Sequence, residues 1–204
     1  MDERTTFRIG DEGVDGYRLL TALVVPRPIA WVSTLDESGR GNLAPHSFFS
    51  VASADPPTVM FTSVGHKDTV RNVTATGEFT ISVATAGMLQ EVNDSSAPFE
   101  HGEDEAQALG VAMAPSHLVA PPRVRDSPAA IECRLDRLVE VGSNTVVLGT
   151  VLGVDVATDA LDGSHPTMAA LQPLSRLGRD EWGRPPEVFS IERPASVEDT
   201  RRGR

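Results

Sequence analysis

A chain of 204 residues with 40% hydrophobic residues suits one domain with a sizeable core, and its net charge of −11 argues against a nucleic-acid partner or an anionic membrane surface. Cys133 is the only cysteine, which rules out an intrachain disulfide. The acidic start MDERTTFRIGDEG has no apolar signal core and no apolar run approaches the roughly 18 residues of a membrane span, so a cytoplasmic protein is expected.

In chain order, residues 1–14 read as a loose arm. Tyr17, Leu20, Leu23 and Val24 then share one helical stripe, with Asp15 as N-cap and Pro26 as the stop, which predicts a short packing helix. Ile29–Leu35 is rich in β-branched and aromatic residues and reads as a strand. Asp36–Gly39 is a turn signal, and Asn42–Val51 returns as the second strand of a hairpin. Pro45 has no N–H to give a ladder, so that strand is an edge or is bulged there. Asp55-Pro56-Pro57 forces a turn into a third strand, Thr58–Ser63. A helix follows, with Asp68 as candidate N-cap and Gly77 as its stop, and Glu78–Ala84 is a fourth strand.

The stretch 85–128 changes character. It mixes short helical runs, acidic residues and a Pro-rich loop, and reads as an insertion: a lid, a dimer contact or a surface excursion. Two long strand-like runs, the first of them alternating, then form a hairpin about Gly142-Ser143-Asn144, with Gly149 and Gly153 of the second as bulge or bend sites. PEVFSIERP reads as a short final strand, and 194–204 as a disordered tail. Strands joined by turns favour an antiparallel barrel over a parallel sheet. The organisation expected is therefore one domain over 15–193, interrupted at about 85–128.

Chemistry is sparsely marked. No dinucleotide-binding or P-loop glycine signature occurs, no HExxH and no GxSxG. His46, His66, His101, His117 and His165 lack metal-ligand spacing, so no metal site is expected, and Cys133 in an alternating strand reads as core. What remains is a phosphate vocabulary: Ser33 and Thr34 at one strand end, and Ser63, His66, Lys67 and Thr69 at a strand-to-helix junction. Lys67 is the only lysine. From spacing alone, residues 63–69 are equally an ordinary helix start with polar exposed residues.

The strings PRPIAWVST (26–34), NLAPHSFF (42–49), Asp55-Pro56-Pro57, Lys67-Asp68-Thr69, Arg71-Asn72 and Gly77-Glu78-Phe79, in that order, resemble the flavin reductase-like proteins of the FMN-binding split-barrel superfamily. The similarity is close over about 15–84 and weaker through 128–157 and PLSRLG. The resemblance implies a mainly β fold with short helices, a six-stranded antiparallel split β-barrel. It also implies a homodimer with FMN held non-covalently near the interface. By that likeness Asn42, Leu43, Ala44, Pro45, His46, Ser47 and Phe48 line the isoalloxazine ring, with Phe48 or Trp31 as ring contacts. Lys67 and Thr69 face the phosphate, helped by Ser33, Thr34 and Ser63. Arg27 approaches the phosphate or pairs with an acid; Arg176 matches a motif without a derivable role.

In one place the chain departs from the pattern. Many flavin reductases of this type carry a histidine before a Gly-Glu pair in the late hairpin, on the nicotinamide side; here the run is Ser143–Thr150, with neither. The leading expectation is an FMN-dependent oxidoreductase passing a hydride from NAD(P)H to flavin, serving a small-molecule substrate or a partner oxygenase. His46 is its one catalytic candidate, with a structural histidine as the equal alternative. Two other readings keep FMN: an electron-transfer or small-metabolite oxidoreductase that does not use NAD(P)H, and a non-enzymatic flavin carrier.

Overall fold

The computed structural model describes residues 3–201. Its centre is one antiparallel sheet of seven strands: β1 Ala30–Leu35, β2 Gly41–His46, β3 Phe49–Ala54, β4 Pro57–Val64, β5 Glu78–Val83, β6 Ala129–Val141 and β7 Asn144–Val156. Across the sheet the order is β2-β1-β5-β6-β7-β4-β3. The two edge strands, β2 and β3, are consecutive in the chain, and only Ser47 and Phe48 separate them. A sheet whose opposite edges are joined by so short a link must curl into a barrel. The link itself closes the barrel, without a ladder between the two edges, which is what makes it a split barrel.

The sequence predicts one strand over Asn42–Val51; the structure breaks it at Ser47, which is why seven strands stand where six were expected. β2 pairs β1, from Gly41 opposite Leu35 to His46 opposite Ala30. After the break β3 pairs β4, and Thr62 N–H donates to the Phe48 carbonyl at 2.9 Å. Pro45 sits on an edge strand. The N–H of Leu43 leaves the ladder for a side chain, so by alternation position 45 also points outward and the missing proline N–H costs no ladder bond.

Both sheet faces are covered. On the inner one, Ala30, Val32, Phe61, Phe79, Ile81, Cys133 and Val147 pack with Val70 and Val73 of helix α2, Asp68–Thr76. On the other, Trp31, Leu43, Val92, Val124 and Leu174 form a second cluster. Each buried Val, Leu, Ile or Phe among them contributes about 1.5–3 kcal/mol on burial. Cys133 is fully buried, and burial, with the charge of Glu132 adding to it, pushes its thiol up to about 12. It is packing, as expected. The β6–β7 hairpin shifts register at Leu148/Gly149 and Val151/Gly153. At Gly149 a Cβ would clash with Phe79 Cζ, so glycine is required by the buried ring beneath it.

Outside the sheet, helix α1 spans Gly16–Leu23 with the expected Asp15 cap, whose carboxylate accepts from Arg18 N–H. Its apolar stripe, however, faces outward: Tyr17, Leu20, Leu23 and Val24 are exposed and only Thr21 is buried. The N-cap of α2 is Lys67, not Asp68. Asp68 lies in the first turn and turns its carboxylate to Arg71, His101 and the Gly102 N–H. Gly77 ends α2 in the left-handed region, as expected.

The insertion is a wall rather than a surface excursion. Helices α3 (Leu89–Asp94) and α4 (Glu105–Leu109), with a small hairpin of Met113–Ala114 and Arg123–Val124, cover the outer face. Trp31 Nε1–H donates to Ser95 Oγ at 2.9 Å, and Val124 N–H to Ser82 Oγ at 3.0 Å. A fifth helix, α5, is Met168–Leu171, and Ser175–Arg176 then pairs with Arg27–Pro28 and Trp182–Gly183. Residues 186–194 form no strand, because the segment pairs with neither sheet edge; Phe189 and Ile191 are exposed. Residues 3–13 are exposed, and part of the expected tail, 202–204, lies outside the described residues.

Candidate cofactor-binding cleft

The open edge of β2 faces the start of α2 and the segment before α4. A buried polar network ties the three together. Both oxygens of Glu105 are engaged: Oε1 accepts from Asn42 Nδ2 at 2.7 Å and Oε2 from the Leu43 N–H at 2.8 Å. Asn42 Oδ1 in turn accepts from the Thr69 hydroxyl at 2.9 Å and the Thr34 hydroxyl at 3.3 Å. Asn72 Nδ2 donates to Thr34 Oγ1 at 3.0 Å. Burial raises the Glu105 pKa from its ordinary value, against the pull of the Leu43 and Asn42 hydrogen bonds. The network sets the width of the cleft by fixing α4 and α2 to the strand edge.

The cleft has a volume of about 380 Å³. Ala44, Pro45 and His46 form one wall, Lys67 and Thr69 the floor, and residues 95–101 the far wall. Lys67 is exposed and, among the described residues, makes no ion pair; its side chain does not cap α2. Asp68, which could have neutralised it, is committed elsewhere. Burial alone would raise the Asp68 carboxyl, but the Gly102 N–H, His101 and Arg71 hold it below its ordinary value. The result is a cation without an ion-pair partner among the described residues, beside an uncapped helix start and the Thr69 hydroxyl, in a cleft that Asp68, Glu100 and Glu105 also line; the donors suit a phosphate.

His46 is 6% exposed, with its ring 4.7 Å from that of Phe61 and Nε2 3.4 Å from Thr69 Oγ1. Burial, helped by the charge of Lys67, lowers its pKa to about 4 against a smaller upward pull from the Thr62 backbone. The imidazole is therefore neutral at neutral pH, and its hydrogen bonds are those of one N–H and one lone pair.

Of the residues singled out in the sequence, Asn42, Ala44, Pro45, His46, His66, Lys67 and Thr69 meet on this cleft. Thr34 and Leu43 lie behind it, Thr34 in the network and Leu43 in the outer core. Ser47 and Phe48 line neighbouring hollows at the strand break. Ser33 and Ser63 are buried away from the cleft; the Ser63 hydroxyl donates to the Gly65 carbonyl at 3.2 Å. Arg27 approaches neither a phosphate-like cleft floor nor an acid. It is 8% exposed and donates to the carbonyls of Thr21, Val24 and Leu177, capping the C-terminal end of α1.

The sequence reading missed Glu105, Asp68 as a latch, and the 95–101 wall. Glu105 sits among Glu100, Glu103 and Asp104, and nothing in the string separates the buried acid from its more exposed neighbours. Among the described residues no cluster of His, Cys, Asp and Glu could hold a metal ion, and no helix is long and apolar enough to cross a membrane.

The flavin reductase like domain matches residues 22–173. An uncharacterized protein of Deinococcus radiodurans is 42% identical over 174 residues, covering 79% of this chain and 77% of its own. Among solved structures, nitrilotriacetate monooxygenase component B from Bacillus cereus superposes with a TM-score of 0.85 at 25% identity, covering 93% of this chain and 100% of that one. The 2-nitrobenzoate 2-nitroreductase NbaA of Pseudomonas fluorescens gives 0.84 at 27% identity, covering 94% and 98%.

Proposed function

The chain belongs to the flavin reductase-like domain family, and on that premise we propose that it is an FMN-binding oxidoreductase that passes a hydride from NAD(P)H to the flavin. The observation that carries the flavin site is the pairing of Lys67, at an uncapped helix start, with the open edge of β2 across one cleft. In this reading Lys67, Thr69 and the first N–H groups of α2 hold the phosphate. The outward edge from Leu43 to Phe48 meets the ring system, and Glu105 and Asn42 keep that edge in place. Bound FMN supplies the two-electron redox chemistry. The protein contributes orientation, and residues 95–101 limit access of water. Neutral His46 offers a hydrogen bond to the ring or its water and does not act as an acid at neutral pH.

The late hairpin favours a second reading. Asn144 pairs with Val64 and Val141, and the run to Thr150 has no histidine or acid. With a nitroreductase among the similar structures, the flavin could instead reduce a small organic molecule directly. Component B of a monooxygenase supports the first reading and a partner oxygenase as acceptor. We also propose a homodimer, supported by the outward apolar stripe of α1.

NADH and NADPH oxidation with added FMN tests the choice. Turnover with free flavin is expected. A tightly yellow protein inert to both nucleotides would sink the reductase reading and favour the second. A protein that binds no FMN removes both.

A further inference from the structure

A second hollow of about 480 Å³ lies beside the strand break, lined by Arg18, Arg27, Ser47, Arg176, Arg179 and Asp180. In a chain of net charge −11, four guanidinium groups meet one carboxylate. Among the described residues, Arg27, Arg176 and Arg179 make no ion pair, and Arg18 has only Asp15 at 3.3 Å on the surface. Arg27 is more than nine-tenths buried, and its Nε has no hydrogen-bond partner. Burial lowers its pKa from the ordinary value and the facing charge of Arg176 lowers it further, against the pull of Tyr17.

The cluster is held in place. Residues 177–181 form a tight turn closed by Leu177 N–H to the Glu181 carbonyl at 3.0 Å. Arg27 donates to the Leu177 carbonyl at 2.7 Å and Arg176 to the Arg179 carbonyl at 2.9 Å. Arg176 also stacks 4.7 Å from the centre of the Trp182 ring. At the tip, Arg179 has φ +53°, a conformation that a non-glycine residue adopts at a cost.

The hollow is also connected to the proposed flavin site. It shares Ser47 and Arg176 with a smaller hollow, which shares Pro45 and Ser96 with the Lys67 cleft. The three hollows thus adjoin one another around the end of β2, with Lys67 in the first and the arginines in the last.

We propose that the arginine hollow binds the anionic group, phosphate or carboxylate, of the molecule that exchanges electrons with the flavin. This rests on the flavin reading, which gives the Lys67 cleft to the cofactor phosphate and leaves the arginine hollow for its reaction partner. Arg176 and Arg27 fix the turn, and Arg179 and Arg18 make the contact. Planar guanidinium groups suit either oxyanion.

The test is calorimetric titration of the full chain, with and without FMN, using ADP-ribose as the diphosphate probe and benzoate as the carboxylate probe. At least one probe is expected to bind; which one identifies the source of the anion. Arg179→Gly, which suits the positive φ, is expected to weaken that probe by about tenfold or more with an undiminished melting temperature and unchanged FMN affinity. Arg18→Ala should weaken it too, and the loss should be clearest with FMN present, when the Lys67 cleft is filled. Failure of both probes to bind, or binding that Arg179→Gly leaves unchanged, overturns the proposal. So does a wild type that ignores both probes while Arg179→Gly dissociates an oligomer, which would make the hollow an interface. If FMN does not bind, the flavin reading fails, and the titrations without FMN still decide whether the hollow is an anion site.

Discussion

At the scale of single residues, Lys67 and His46 are neighbours with opposite demands. Among the described residues Lys67 makes no ion pair, and its charge, after burial, is one of the reasons His46 is held neutral. If Lys67 holds a phosphate, Lys67→Ala will weaken FMN binding by about 1–3 kcal/mol, the range for a charge-assisted contact. Fluorescence titration measures it, and unchanged affinity takes Lys67 out of the site. For His46 the consequence is a pH dependence of stability. Its folded pKa of about 4 lies below its ordinary 6.5. Between those values the unfolded chain takes up a proton that the folded chain refuses. Stability from this source is complete above about pH 6.5 and is lost as the pH falls towards 4, by about 3 kcal/mol in all. Glu105, raised by burial, works in the opposite sense, losing its contribution as the pH rises. Melting curves from pH 7 to pH 4 should therefore fall less steeply for His46→Gln than for wild type. Parallel falls would mean that the imidazole is protonated in the fold.

At the scale of elements, what was legible is what repeats along the chain. Alternation marked β5 and β6, β-branched and aromatic content marked β1, and glycine marked the bends in β7. Gly149→Ala would press a methyl group into Phe79 and should destabilise the barrel by about 1–3 kcal/mol, seen as a lower urea midpoint. Pro45 marked an edge. The break at Ser47–Phe48 was hidden because β-prone residues continue through it, and only the ring of pairings separates β2 from β3. The Val188–Ile191 run was misleading for the converse reason: its pattern suits a strand, but the chain gives it no neighbour. Glu105 was illegible because its partners are 62 and 63 residues away in the chain. Those partners define its test. Glu105→Ala strips the acceptor from the Leu43 N–H and the Asn42 amide, and should cost about 2 kcal/mol or more. Hydrogen exchange at the Leu43 amide should speed up well before global unfolding. A variant of wild-type stability with slow exchange at Leu43 would show that α4 is not what holds the strand edge.

At the scale of the whole molecule, the question is what covers the apolar surface. Tyr17, Leu20, Leu23 and Val24 are between 61% and 76% exposed on α1. A largely apolar hollow of about 340 Å³ adjoins them, lined by Leu20, Val24, Phe48, Phe49 and Met60. Patches of this kind on a folded chain mark association. The charge of −11 opposes association at long range, so contact must be driven by the patch itself, and a two-fold dimer would use the same stripe twice. The same hollow shares Thr21, Arg27 and Ser47 with the arginine hollow, which Tyr17 of the stripe also lines, so a second copy docked there would border the arginine hollow. Leu20→Glu with Leu23→Glu should then convert a dimer into a monomer in sedimentation velocity. The two positions are exposed in the single chain, so the intrinsic cost of each change is small, within about 0.5 kcal/mol. A fall in melting temperature should therefore depend on protein concentration in the wild type and not in the variant. A wild type that sediments as a monomer at micromolar concentration would leave the stripe of α1 with no partner of its own kind.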